Sequence, residues 1–364
     1  MPMSPTARGH CAAIALGMSV AFAQSAAAQF HLPECTCENL TSLQQDFRNA
    51  VTLAEYFQGL ADHLEAVEAE ERAKFPEDPE RVEEHVGSAL SRYLQENPPS
   101  QRLIPVHDYV GPSSVEMAYG TCTQDAERLL QMELGSPCRA MADASLNHEA
   151  FHRDTCSRMG PEAYWNQSRV ANAREEVAAY RAQAADLREE IRRVLEAAEV
   201  IYKSDSSFDL NVQGMAQYGY VSSARSEDIG HPSDGDTWTM IGRGSSTGKC
   251  VKAVIVGMTC TPKGMINSRF DLTLTTDGLV FDLEVGEIVT SGAMSIICRG
   301  AGSSSGPVSA VTEGPGMITS GQPLRTGDNP LPSDMTDEVR AQLSSVGTVT
   351  FEGESVLSVT CSAP

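Results

Sequence analysis

The chain has 364 residues, 41% of them hydrophobic, which is enough apolar content for two packed domains and too much for wholesale disorder. A formal charge of −22 leaves few cations to neutralise phosphate, so nucleic acid and anionic membranes are excluded as main partners. Ten cysteines make the redox compartment decisive for the fold.

The first element is not structural. Arg8 and His10 precede an apolar run, Cys11 to Ala23, and Ala26-Ala27-Ala28 stands before Gln29, the pattern of a signal peptide over residues 1–28. Cys11 lies too early in that run, and behind the wrong residues, for lipid attachment. No later run is long enough to span a bilayer, so no membrane insertion is expected. The protein is expected to be exported to the periplasm or beyond, where cysteines pair. Cys250, Cys260, Cys298 and Cys361 can pair among themselves in three ways. Cys35 and Cys37 are each expected to catch one of Cys122, Cys138 or Cys156, which leaves one thiol over.

Residues 29–204 read as a helical domain. From Leu40 to Leu64, and again from Val170 to Ile201, apolar residues alternate spacings of three and four, the seams of two long amphipathic helices. The simplest arrangement packs the two seams together in a helical bundle; the alternative is a coiled coil between chains. A shorter helix is expected over 79–96, opened by Pro79, then a crossing through Pro98, Pro99, Pro105 and Pro112, and a helix over about 123–134. Ser136 and Pro137 fit the N-cap and first position of the next helix.

That helix carries His148-Glu149-Ala150-Phe151-His152, an H-E-x-x-H sequence. Positions four apart stack on one helical face, so both imidazoles can reach one Zn²⁺ while Glu149 reaches a water in the open metal position as general base. Met141, Ala144 and Phe151 share the His-bearing side and place it against a core. A third ligand is needed, and three are on offer. Glu175 and Glu176 lie on the second long helix, with Glu176 nearer its seam, and Cys156 lies one turn beyond His152. In an exported protein a disulfide to Cys138 or Cys122 is the expected use of Cys156. Cys138 and Cys156 are about 27 Å apart along one continuous helix and are not expected to pair with each other.

His148-Glu149-x-x-His152 followed by Glu176-x-x-Ala179-Tyr180 resembles the gluzincin branch of the zincin metallopeptidases over residues 136–185. The resemblance implies zinc held by His148, His152 and Glu176, Glu149 as catalytic base, and a peptide or protein substrate. Two departures stand out: Arg153 and Asp154 follow the second His, and Tyr180 occupies the place of an Asp in that signature. The rival reading is a secreted binding protein in which the sequence is accidental.

After residue 204 the heptads give way to alternation, and residues 205–364 read as a β-sandwich or barrel. Phe270, Leu272 and Leu274, then Phe281, Leu283 and Val285, flank Asp277-Gly278 as a hairpin with a type I′ turn. Strands are expected near 208–213, 237–242, 251–257, 293–298 and 348–360, with a long Gly/Ser/Pro-rich loop over 300–332. The fold class is therefore α then β.

Overall fold

The computed structural model describes residues 32–101, 103, 122–123, 126–212, 215–230, 232–233, 235, 237–299, 302–312, 316–332 and 347–361. The expected signal peptide and the Pro105–Pro112 crossing lie outside them.

Helices come first: α1 (Leu40–Lys74), α2 (Pro79–Glu96), α3 (Ala126–Gly135), α4 (Arg139–Met159), α5 (Pro161–Trp165) and α6 (Arg169–Glu196). Their ends follow local chemistry. Asp78 accepts a hydrogen bond from Arg81 N–H ahead of Pro79, and Ser168 accepts one from Ala171 N–H. α1 and α6 pack antiparallel within one chain, as the shared seams require. Phe57 stacks on Tyr180 at 5.7 Å, Arg181 donates to Gln58, and Arg174 pairs with Glu65 at 2.5 Å. Leu60, Ala61 and Leu64 of α1 meet Val82 and Val86 of α2 and Val170 and Ala173 of α6 in a separate apolar cluster.

An antiparallel sheet follows, formed by β1 (Ala198–Val212), β2 (Ala216–Ser226), β3 (Trp238–Ile255), β4 (Met258–Thr276), β5 (Val280–Cys298), β6 (Gly302–Thr312), β7 (Gly316–Pro323), β8 (Gly327–Leu331) and β9 (Thr348–Cys361). Its order is β6-β5-β4-β3-β2-β1-β9-β8, with β7 paired to β5 off this path. The core is continuous between the two halves: Leu43, Leu187 and Ile191 pack in the same cluster as Trp238, Leu272, Leu283 and Leu357. Buried Gln44 of α1 spans the junction, donating to the carbonyls of Gly278 and Leu324 at 2.7 and 2.9 Å.

Four local expectations are corrected. The second long helix ends at Glu196 rather than Ile201, because Val200, Ile201 and Tyr202 are β-formers that continue the apolar spacing by coincidence and pair with β9. α4 starts at Arg139, with Cys138 rather than Ser136 at its N-cap, and Arg139 N–H donates to Pro33 O at 2.8 Å. The hairpin at Asp277-Gly278 is a longer loop: Thr276 pairs with Phe281, and Asp277 Oδ1 accepts from Leu279 and Val280 N–H. A type I′ turn needs two positive φ values, and those occur at Val256 (48°) and Gly257 (72°) between β3 and β4. Finally, the stretch 300–332 holds β6, β7 and β8. Pro307 and Pro330 are tolerated because β6 and β8 end the sheet order, where a missing N–H breaks no ladder.

The cysteines also pair differently from the five-and-four split. Cys35–Cys138, Cys122–Cys156 and Cys260–Cys298 each fall within the expected pairings, but Cys37 bonds to Cys361 across the two halves, which leaves Cys250 without its C-terminal partner. Among the described residues the free thiol is Cys250, in β3, not one beside the H-E-x-x-H helix. Cys37–Cys361 closes a separation of 324 residues, so it removes more denatured-state freedom than the others, about 6 kcal/mol on the chain-entropy model. Four such bonds suit an oxidising compartment. No described helix is long and apolar enough to cross a membrane.

One polar group in the core works against stability. Asp46 of α1 is 4% exposed, its Oδ2 has no hydrogen-bond partner, and burial pushes its pKa up to about 7. The folded chain therefore holds a proton that the unfolded chain releases near pH 4, so stability is full below that value and falls as pH rises through 7. Asp46→Asn is expected to change little at pH 4 and to stabilise by on the order of 3 kcal/mol at pH 8, read from urea midpoints at the two pH values.

Candidate metal centre

The site forms where α4 crosses α6. His148 and His152 lie one turn apart on α4, and Glu175 and Glu176 face them from α6. Met141 and Ala144, fully buried, hold the same side of α4 in the core, with Phe151 half-buried beside them. The Nε2 atoms of His148 and His152 are 3.3 Å apart. Glu176 brings one carboxylate oxygen to 3.7 Å from His148 Nε2 and the other to 3.6 Å from His152 Nε2. All three donor groups lie within 4.8 Å of one another, a group that could hold a metal ion. His148 is 5% exposed and Glu149 4%, while Glu176 keeps about a third of its side chain in contact with solvent.

Glu175 does something different from its neighbour. Successive helical residues diverge by about 100°, so the two carboxylates reach opposite edges of one imidazole. His152 Nδ1–H donates to Glu175 Oε1 at 2.9 Å, and Gln167 Nε2 donates to Glu175 Oε2 at 2.9 Å. The ring is thereby oriented with Nε2 toward His148 and Glu176, the carboxylate–histidine arrangement that raises ligand basicity in metal sites.

The charges are polarised accordingly. Burial pushes His148 down to about 4, with Glu176 opposing only in part. Burial would also depress His152, but hydrogen bonds and charge from Glu175 and Glu176 outweigh it and push His152 up to about 10. Of the two imidazoles, His152 is thus the one that carries positive charge, and a cation bound at the two Nε2 atoms would take the place of that charge. His148 Nδ1 is buried without a hydrogen bond of proper geometry, the Ala179 carbonyl being its closest support. The ring is held instead by Tyr180, whose centroid lies 4.2 Å away.

No protein-family model, curated protein or solved structure matches the chain. The chemistry of the site has to be read from its own geometry.

That geometry brings together His148, His152 and Glu176 as expected, and it removes Cys156, whose Sγ is bonded to Cys122. Arg153 and Asp154 pair with each other at 3.1 Å on the exposed side of α4, away from the donors. Tyr180, in the Asp position of the resembling signature, is core packing and a wall for His148. Two participants were not visible as such in the sequence. Glu175 was legible only as the less favoured half of a Glu-Glu pair. Tyr164, on α5, sits among the charges of Glu175, Glu176 and Glu149; burial and these carboxylates push its pKa well above the usual phenol range, so its O–H remains a donor. The only sequence signal for it is the Gly160-Pro161 break, which ends α4 and turns a short helix back toward the site.

Proposed function

We propose that the chain is an exported zinc-dependent hydrolase of gluzincin type acting on peptide bonds, with His148, His152 and Glu176 as ligands and Glu149 as general base. The observation that carries this reading is the convergence of two imidazoles and a carboxylate from two helices on one point, with Glu149 buried between the imidazoles in sequence. Zinc supports it best because its ligands, at about 2.0–2.1 Å in a tetrahedron, lie about 3.3–3.4 Å apart. The His148–His152 separation of 3.3 Å already matches, and the carboxylate needs to close by only a few tenths of an ångström. An N, N, O donor set is also what catalytic rather than structural zinc uses.

Bound Zn²⁺ supplies Lewis acidity toward a substrate carbonyl and acidifies water at its open position. The protein's own residues do the rest. Glu149 accepts the proton of the attacking water and returns it to the departing amine. Glu175 and Gln167 fix His152, Tyr180 fixes His148, and the Tyr164 hydroxyl donates a hydrogen bond beside the carboxylates. The finer architecture belongs to the same reading: α1, α2, α4 and α6 as a bundle, and a sheet that curls toward a barrel as β7 covers β5 and β8 covers β9.

The test is turnover of an unfolded protein or a quenched peptide library by the zinc-loaded protein. Hydrolysis abolished by a chelator and restored by zinc is expected. Hydrolysis indifferent to chelation, or none by protein shown to hold zinc, would contradict it and favour a binding role.

A further inference from the structure

The helix-covered part of the sheet ends at the buried row of Leu357, Tyr202 and Phe270. Beyond it the charges of β1–β6 and β9 fall on one face, from Lys203, Asp205 and Asp209 of β1 to Lys263 and Arg269 of β4, and all are exposed. Among the described residues the opposite face holds no charge. There Phe351, Phe208 and Tyr220 stand opposite one another on β9, β1 and β2, Cys250 stands opposite Tyr220 on β3, and Met294 and Ile296 follow on β5. All six are half-buried and belong to neither apolar cluster of the chain; Phe208 lies against Tyr220 with ring centroids 5.1 Å apart. In a chain that is 21% charged, a charge-free sheet face this wide is one built to be covered.

Its size, its shape and an odd thiol fit a second copy of the chain. Seven strands about 4.8 Å apart span about 29 Å, and Ser204 to Val212 at about 3.4 Å per residue spans about 27 Å, so the face offers about 800 Å², each partner's share of a standard interface. Small residues stand on the helix side of its middle and large ones on the far side. The sequence is Ser206, Phe208, Leu210 on β1, Ser222, Tyr220, Tyr218 on β2, and Gly292, Met294, Ile296 on β5. A two-fold axis running across the strands at the row of Phe208, Tyr220 and Cys250 reverses that order in the other copy, and so lays large residues over small ones. It also sends the two helical halves to opposite ends, where neither obstructs the contact.

Cys250 lies on that row, midway between Gly244, beneath Phe270, and Ile255 at the end of β3. The other described cysteines are all in disulfides, and the Cys250 thiol donates to Lys252 O at 3.1 Å. An odd cysteine in an oxidised, exported chain calls for a partner outside it, and the axis through Cys250 brings it against its own copy. We propose that two copies of the chain pack these charge-free faces together about this axis, joined by a Cys250–Cys250 disulfide. Two S–H bonds break and one S–S bond forms, and a disulfide oxidant of the exported compartment takes up the two electrons and two protons to become a dithiol. Disulfides bridge packed sheets in the same way in sandwich domains. The interface rests on the sheet alone and is independent of the zinc reading.

The test is sedimentation equilibrium of the full chain, exported through an oxidising compartment, beside a non-reducing gel. Twice the chain mass and a covalent dimer band are expected. Cys250→Ser should lose the band and still dimerise reversibly. In that background Leu210→Asp and Ser206→Arg each bury a charge in the contact and should weaken dimerisation by about tenfold or more, while Met265→Asp, on the charged face, should not. Two variants on opposite sides of the axis, with thermal unfolding of each, separate a lost contact from a lost fold. A single chain mass at micromolar concentrations overturns the proposal, and if that monomer sediments with phosphatidylcholine vesicles the face covers lipid instead. A dimer unweakened by both variants, or one whose Cys250 still reacts with a thiol reagent, overturns it equally.

Discussion

Glu149→Gln is expected to keep its metal and to lose hydrolysis by about 10²- to 10⁴-fold, the usual worth of a positioned general base. The substitution changes one carboxylate oxygen for an amide in a side chain that is 4% exposed, so the packing of α4 against α6 should be preserved. Glu149 is not one of the three gathered donors, so metal content should stay at the parental value. The loss should fall on kcat with KM little changed, because the proton moves only in the transition state. Loss of metal together with activity would make Glu149 a structural or ligating residue instead.

The second large effect concerns the ligands themselves. His148→Ala and Glu176→Ala each remove one of three donors and should weaken zinc binding by more than the 10- to 100-fold typical of an outer partner. Glu175→Gln removes only the carboxylate behind His152 and should fall within that smaller range. Competition against a chromogenic chelator measures all three. Cys156→Ser gives the complementary result. Its sulfur is bonded to Cys122, so the variant should lose stability and keep its zinc affinity. Affinity lost with Cys156 and kept without Glu176 would replace the carboxylate by a thiolate.

The three-and-four spacing gave away the two long helices and their mutual packing, because the seam residues, such as Phe57 and Tyr180, meet across the helix pair. The same periodicity misled at Ile201, where a strand continues the spacing by chance. The H-E-x-x-H pair and Glu176 were legible because helical geometry is local and the partner helix carries its own stripe. Glu175's hold on His152, and the placing of Tyr164 by the α5 turn, depend on how two helices cross, which spacing alone does not specify. Cysteine pairing was the least legible feature. Cys37 finds Cys361 only because β9 inserts next to β1, so that the last strand is brought back to the start of the first helix. Strands β6 to β8 were hidden because serine, glycine and proline write no apolar alternation, and sheet ends tolerate all three.

In the proposed site two imidazoles and a carboxylate, without sulfur, hold zinc between α4 and α6. Zinc-edge X-ray absorption of the purified, dialysed protein tests it most directly. The geometry predicts about one zinc per chain, with nitrogen and oxygen neighbours at about 2.0–2.2 Å and the outer-ring scattering of two histidines. A shell at about 2.3 Å, the zinc–sulfur distance, or protein that retains no zinc, would contradict it.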